Sequence, residues 1–244
     1  MDLASALILF LAGLIGSSIS SMVGGLSLLT IPVLLFLGLP PLETIATNLA
    51  AQLLPALIEI ANYRRHGKLR FRRLVPMLLL FILGASLGSL LVLSINTDAL
   101  NALVAFLLVG GAVLVAFEKR LNLEFMKRSP LLQKLFLFFI GAYKAVFGAA
   151  AKTLAIMVLR ITHGMSCVEA SAASSFLLFF AVAVGSASYI LAGVINLDYF
   201  VPLTLGCCVG SVVGTELAVK KGDSILKPAL LLIAIAAAAK VLFF

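Results

Sequence analysis

Apolar positions along this chain gather in long runs, and short polar interruptions separate them. Leu74–Ile95 and Ala99–Phe117 reach or approach the roughly 20 residues that a helix needs to cross a hydrocarbon core. Further spans are predicted over Leu42–Asn62, Thr162–Ile190, Tyr199–Val219 and Ile225–Phe244. Two apolar pieces, Leu3–Leu39 and Leu131–Ile161, are too long for one comfortable span. The first is interrupted by "GSSISSMVGG" at Gly16–Gly25, and the second by small residues with a predicted tip near Gly148–Ala151. Each is expected to be a hairpin of two shorter helices, with one long tilted helix as the alternative.

Composition sharpens this picture. Of the 244 residues, 63% are hydrophobic and 11% charged, against about 25% charged in an average soluble domain. The mean hydropathy is +1.21. An all-α polytopic membrane protein follows, a single transmembrane domain over 1–244 embedded in the lipid bilayer. The longest polar interruption, Glu118–Arg128, is too short to bury a core. The first apolar run follows Met-Asp without a basic flank, so no cleaved secretory signal is expected. Cys167, Cys207 and Cys208 lie in or beside apolar segments and make no metal-ligand spacing with His66 or His163, so they are expected to pack as small hydrophobes.

The formal charge of +8 would suggest nucleic acid in a soluble protein, but here the positives sit in loops between spans. Loops 64–73, 118–134 and 220–227 carry them, and the excess of Lys and Arg in cytoplasmic loops of membrane proteins accounts for that without nucleic acid. These loops are expected to be cytoplasmic.

The chain also repeats itself. A shift of 126 positions superposes Gly164 on Gly38, Glu169 on Glu43, Tyr189 on Tyr63, Gly193 on Gly67, Val201-Pro202 on Val75-Pro76, and Gly210 and Gly214 on Gly84 and Gly88. The period is too long for a solenoid and suits a duplicated bundle, with repeat one over 1–125 and repeat two over 126–244. The loop after Tyr63 is strongly basic, whereas "ILAGVINLDY", its counterpart after Tyr189, has no positive charge. The halves are therefore expected to be inverted-topology repeats, each a broken or re-entrant helical hairpin followed by three transmembrane helices. Lys240 then falls on the outer side, a small cost of that topology.

Candidate chemistry lies mostly in small and polar residues inside the apolar runs. Lys144 and Lys152 sit in an otherwise apolar stretch, where an intramembrane charge costs roughly 2.5–3.5 kcal/mol on insertion scales. Lys152 and Thr153 open the second arm of the predicted hairpin, and a helix that starts inside the membrane offers its N–H groups to an anion. The competing reading has the lysines snorkel to an interface or pair with Glu59, Glu169 or Glu216. Ser20, Ser21, Gly24 and Gly25 supply hydroxyls and close backbone approach at the matching depth of the first hairpin. Thr44, Asn48 and Gln52 recur every four residues on one helix face, with Glu59 further along it, and Ser171, Ser174 and Ser175 occupy the corresponding helix of the second half. Small-residue packing is the bland alternative for the serines and glycines. Glu43 and Glu169 are expected as carboxylates in a first helical turn, with a proton-coupling acid as the sharper alternative. Glu59 has similar standing, but its place close to the basic loop favours a salt bridge.

The segment "GGLSLLTIPVLLFLGLPPLETIATNLAAQLLPALIEIANYRRHGKLRF" resembles the first repeat of the TauE/SafE sulfite exporter family. The features that carry it are Gly24-Gly25, Pro32, Gly38-Leu39-Pro40-Pro41, Ala46-Thr47-Asn48, and Tyr63 with Gly67. The resemblance implies a secondary transporter of a small oxyanion such as sulfite or an organosulfonate, exported across a bacterial inner membrane. The second half departs from the family pattern, with "GAYKAVFGAAAKT" where a Gly-rich stretch is usual. No cofactor is expected, and no phosphate-loop motif marks an ATP-driven carrier. A proton as coupling ion, an anion channel of the same fold, and an intramembrane enzyme are the further readings; direction and oligomeric state are left open.

Overall fold

A computed structural model of the protein describes residues 2–69, 74–116, 129–148 and 150–221. These residues form helices joined by short turns, with no strand among them. In chain order the helices are α1 (Leu3–Val23), α2 (Leu26–Phe36), α3 (Pro41–Ala50), α4 (Leu53–Arg65), α5 (Val75–Ser94), α6 (Thr97–Ala116), α7 (Pro130–Val146), α8 (Ala151–His163), α9 (Cys167–Leu191) and α10 (Leu197–Lys221). Among the described residues, five stretches are long and apolar enough to cross a membrane: α1, α3 with α4, α5, α9 and α10. The expected span Ile225–Phe244, most of loop 118–134 and parts of the other basic loops lie outside the described residues.

The first long piece is a hairpin, as expected, but α1 stays helical through Gly16 and breaks later, at Gly24–Gly25. Both glycines take left-handed backbone, with φ of +98° and +97°, which side-chain-bearing residues rarely adopt. α2 then folds back on α1. Leu26 O lies 3.8 Å, and a Leu26 methyl 2.8 Å, from the place a Cβ on Gly16 would occupy, whereas ten residues of continuous helix would separate them by roughly 15 Å. The second long piece breaks after α7, where Gly148 has φ of +69°, and α8 packs back on α7.

Leu42–Asn62 was expected as one helix and is two. The ladder is interrupted at Ala51–Gln52 between α3 and α4. Pro55 explains it: proline has no N–H to give the carbonyl four residues earlier, and its ring crowds that carbonyl. α9, which has no proline, runs unbroken from a capping box in which Ser166 and Glu169 satisfy each other's backbone N–H.

Packing relies on close backbone approach. α1 packs most extensively on α10, and α5 on α7. Gly206, Gly210 and Gly214 of α10 lie against the carbonyls of Phe10, Leu14 and Ser18, and Gly84 and Gly88 of α5 lie against those of Phe138 and Ala142. A Cβ at any of these five positions would overlap the facing backbone. Apolar partners gain little from hydrophobicity within lipid, so close van der Waals contact between small-residue faces holds them together. Residue numbers rise together in both pairs, so the partners run parallel. The opposite faces expose Leu79, Leu83 and Leu87 on α5 and Val201, Leu205 and Val209 on α10, as a lipid-facing surface would.

The 126-residue register extends to the helix ends, pairing α8 with α2, α9 with α3 and α4, and α10 with α5. It also extends to hydrogen bonds. Asn62 donates to Thr215 at 2.8 Å, and Ser89 to Ser188 at 3.1 Å, the same two positions one register apart. Tyr63 donates to the Ser21 carbonyl at 2.8 Å and Tyr189 to the Ala145 carbonyl at 3.0 Å. The tyrosines keep the register of 126, but their acceptors are 124 apart. The second hairpin break is thus two residues longer than the first.

Candidate functional site: a buried charge cluster where two helix breaks meet

The two breaks abut. Thr153 at the start of α8 donates its hydroxyl to the Val23 carbonyl at 2.7 Å, just before the first break. A Cβ on Gly24 would lie 2.9 Å from the Thr153 hydroxyl and 3.0 Å from Lys152 Cβ, so glycine at 24 permits both the backbone turn and the contact. Lys152 reaches across the seam and donates to the Ser21 carbonyl at 2.8 Å. Carbonyls at the end of α1 have no partner within their own helix, and the second hairpin satisfies them. Ser171 of α9 adds a further donor to the Met22 carbonyl at 2.8 Å.

Lys152, Glu59 and Lys144 form the charged centre; they are only 7%, 8% and 7% exposed. Lys152 Nζ pairs with Glu59 Oε2 at 2.7 Å. The same carboxylate accepts from Ser175 at 2.6 Å on Oε2 and from Ser21 at 2.8 Å on Oε1. Three donors from α1, α8 and α9 thus converge on one carboxylate from α4. Lys144, in the last turn of α7, donates to Gln52 Oε1 at 2.6 Å, and among the described residues it forms no ion pair. Two ammonium groups and one carboxylate leave the cluster with a formal charge of +1.

A cavity of about 50 Å³ opens beside these groups. A water needs roughly 10–15 Å³ on this measure, so the space takes a few waters or one compact ion. Its polar lining is Ser17, Ser20, Gln52, Glu59, Lys144, Lys152 and Ser175, and Leu178, Phe179 and Val182 close the apolar side.

Of the residues expected from the sequence, Lys144, Lys152, Gln52, Ser20, Gly25 and Ser175 therefore line one cavity. Ser21 braces the carboxylate beside it, and Thr153 and Gly24 form the seam. Asn48 lies apart: it accepts from Thr30 at 2.5 Å and donates to Ser27 at 3.0 Å, binding α3 to α2. Ser174 donates to the Ser171 carbonyl of its own helix at 2.9 Å. The gap at Ala51–Gln52 turns the Gln52 side chain toward Lys144, while its amide donates to the Asn48 carbonyl at 2.8 Å. Glu43 accepts from Asn196 at 3.2 Å in its first helical turn.

The sequence offered Glu59 both as a salt-bridge partner near the basic loop and as one possible partner of the buried lysines, and in the fold it pairs with Lys152. The available signal was its position seven residues after Gln52, two turns along the same face. Ser17 and Gly148 were missed; a Cβ on Gly148 would sit 2.9 Å from Lys144 Cδ. Among the described residues no disulfide joins the cysteines, and Cys207 is buried against Gly13.

The profile of the sulfite exporter TauE/SafE family matches residues 9–241. A Sinorhizobium protein described as probable membrane transporter protein ORF9 is 31% identical over 99% of this chain and 94% of its own length. A probable membrane transporter protein of Haemophilus influenzae is 26% identical over 97% of this chain and 94% of its own. The Escherichia coli K12 probable membrane transporter protein YfcA is 25% identical over 97% and 89%. No solved structure matches the chain. With a buried, positively charged cavity at the meeting point of two broken helices, and with a family match over nearly its whole length, the chain belongs to the TauE/SafE sulfite exporter family and is a multi-pass membrane transporter.

Proposed function

We propose that the protein carries a small oxyanion, sulfite or a compact sulfonate, outward across a bacterial inner membrane by alternating access between two inverted repeats. The observation that supports this reading best is Lys144. It is a buried ammonium with an amide as its hydrogen-bond acceptor, and it faces a cavity with a formal excess of one positive charge. A charge buried without a counter-ion is expensive, and an anionic substrate supplies the counter-ion. Ser17 and Ser20 bring hydroxyls to the same cavity, neutral donors that hold an oxyanion without adding fixed charge that would trap it. Small cavity size favours a compact anion over a long one.

Alternating access draws on the two hairpins. Each is a pair of helices held at its tip by hydrogen bonds to the other hairpin and to neighbouring helices, with few covalent constraints on sliding. Inverted repeats that trade conformations around a shared site are a recurring basis for such transport.

The test is radiolabelled sulfite and methanesulfonate flux in proteoliposomes, comparing wild type with Lys144→Met. Saturable flux that shows counterflow, and that Lys144→Met abolishes while the protein stays monodisperse, is the expected result. Flux without saturation or counterflow would replace the carrier with a channel. No flux or binding of either anion would remove the substrate class.

A further inference from the structure

Glu59 holds the donors that a bound oxyanion would take. Its carboxylate receives one ammonium and two hydroxyls, from Lys152, Ser175 and Ser21, at 2.6–2.8 Å. That is an oxyanion site with an oxyanion of the protein's own already in it, and it lies on the wall of the same cavity. From this we infer that Glu59 is the proton-coupling residue of the transporter: a substrate anion displaces its carboxylate from Lys152, and Glu59 takes up one proton as it gives way. The inference rests on the anion site proposed above.

The surroundings of Glu59 leave few other outcomes. From α8 it faces Lys152 and from α7 Lys144. It accepts from the hydroxyls of Ser21 of α1 and Ser175 of α9, and it shares the cavity with Ser17 and Ser20 of α1. α10 brings the Cys207 thiol, packed on Gly13, and Glu216, which faces His66 and Lys220 at 3.8 and 3.4 Å. On its own helix the titratable neighbour is Tyr63, which spends its hydroxyl on the Ser21 carbonyl. The other cation of the cavity, Lys144, donates to Gln52 and is the counter-ion proposed for the substrate, so once the anion is bound a displaced Glu59 carboxylate has no cation of its own among these described residues.

Charge magnitudes favour protonation over two anions side by side. A carboxylate and a substrate anion side by side repel strongly in a partly buried site, where water screens them weakly. A proton on Glu59 removes that repulsion, frees the Lys152 ammonium and raises the formal charge of the empty cluster from +1 to +2. The balance is simple: one H⁺ adds to a Glu59 carboxylate oxygen on anion entry and leaves from the same oxygen on anion release. Binding of proton and anion then reinforce each other, each raising the affinity for the other by the same factor.

Methanesulfonate is the probe, because its single charge is constant from pH 5 to pH 8 and any pH effect belongs to the protein; sulfite serves as the second ligand. Binding to purified protein in nanodiscs is followed by calorimetry, with proton uptake read by a dye in weakly buffered solution. Wild type is expected to take up close to one proton per anion bound, with affinity tightening by up to about tenfold per pH unit toward acid. Glu59→Gln is expected to bind the anion with no proton uptake and a flat pH profile, and Glu59→Asp to restore uptake. Wild-type binding without proton uptake, or unchanged uptake in Glu59→Gln, overturns the inference and leaves the anion site standing. Absence of binding of either anion overturns both.

Discussion

Lys152 and Lys144 look alike in the sequence and have opposite energetic positions in the fold. Lys152 is one half of a buried pair whose partner is held by two further hydroxyls. Removing one partner of such a pair leaves an uncompensated buried charge and costs about 3–5 kcal/mol. Lys152→Met is therefore expected to lower the thermal stability of the detergent-solubilised protein sharply, and the double variant Lys152→Met with Glu59→Gln to recover much of it. Lys144→Met removes a charge that has no counter-ion among the described residues. Its stability is expected to equal or exceed that of wild type while anion flux is lost. Heating curves of all four proteins, read by size-exclusion recovery, check the pattern. Equal destabilisation by both single substitutions would show that the lysines share one structural role.

Helix breaks do the positioning at the next scale. Gly24 and Gly148 take left-handed backbone where each hairpin turns, and each has a site lysine within contact of its missing Cβ. Gly148→Ala places a methyl against the Lys144 side chain, so it is expected to weaken anion binding more than it lowers stability. Calorimetric affinity set against thermal stability separates the two effects. Between helices, the glycines of α10 act through contact with backbone. Gly210→Leu would force α10 off α1 at Leu14, and overpacking of a tight contact costs typically 1–3 kcal/mol or more. Loss of folded, monodisperse protein is the expected outcome, whereas Val209→Leu on the exposed face should be neutral in the same assay.

Over the whole molecule, topology is the open prediction. Inverted repeats place the end of α4 and the end of α10 on one side, and the turn after α9 on the other. Cysteines introduced at Lys68 and at Lys221 in a Cys-free background are expected to react with an impermeant thiol reagent from the cytoplasmic side, and one at Gly193 from the outside. Labelling of Gly193 and Lys68 positions from the same side would refute the inversion while leaving the hairpins intact.

Much of this was determined by the sequence alone, because it depends on local composition and period. Runs of apolar residues near 20 long mark membrane helices through composition alone, and the register of 126 from Gly38 and Gly164 to Gly88 and Gly214 is readable in the chain itself. Glycine at 24 and 25 and lysines inside apolar stretches mark a break and buried charge through their own stereochemistry and solvation, whereas the break ahead of Pro55 fell inside a stretch expected as one helix. The tertiary structure decided which charges meet. Glu59 lies 93 residues from Lys152 in the chain and Gln52 lies 92 from Lys144, and no local rule links them. Only the abutting of the two hairpins brings them together, making one lysine part of a pair and leaving the other to face the cavity. Asn48 and Ser174, equivalent by repeat, were equally plausible from sequence. Packing turned the first toward α2 and the second toward its own backbone, since a hydroxyl or amide takes the nearest partner and that partner is set by the fold.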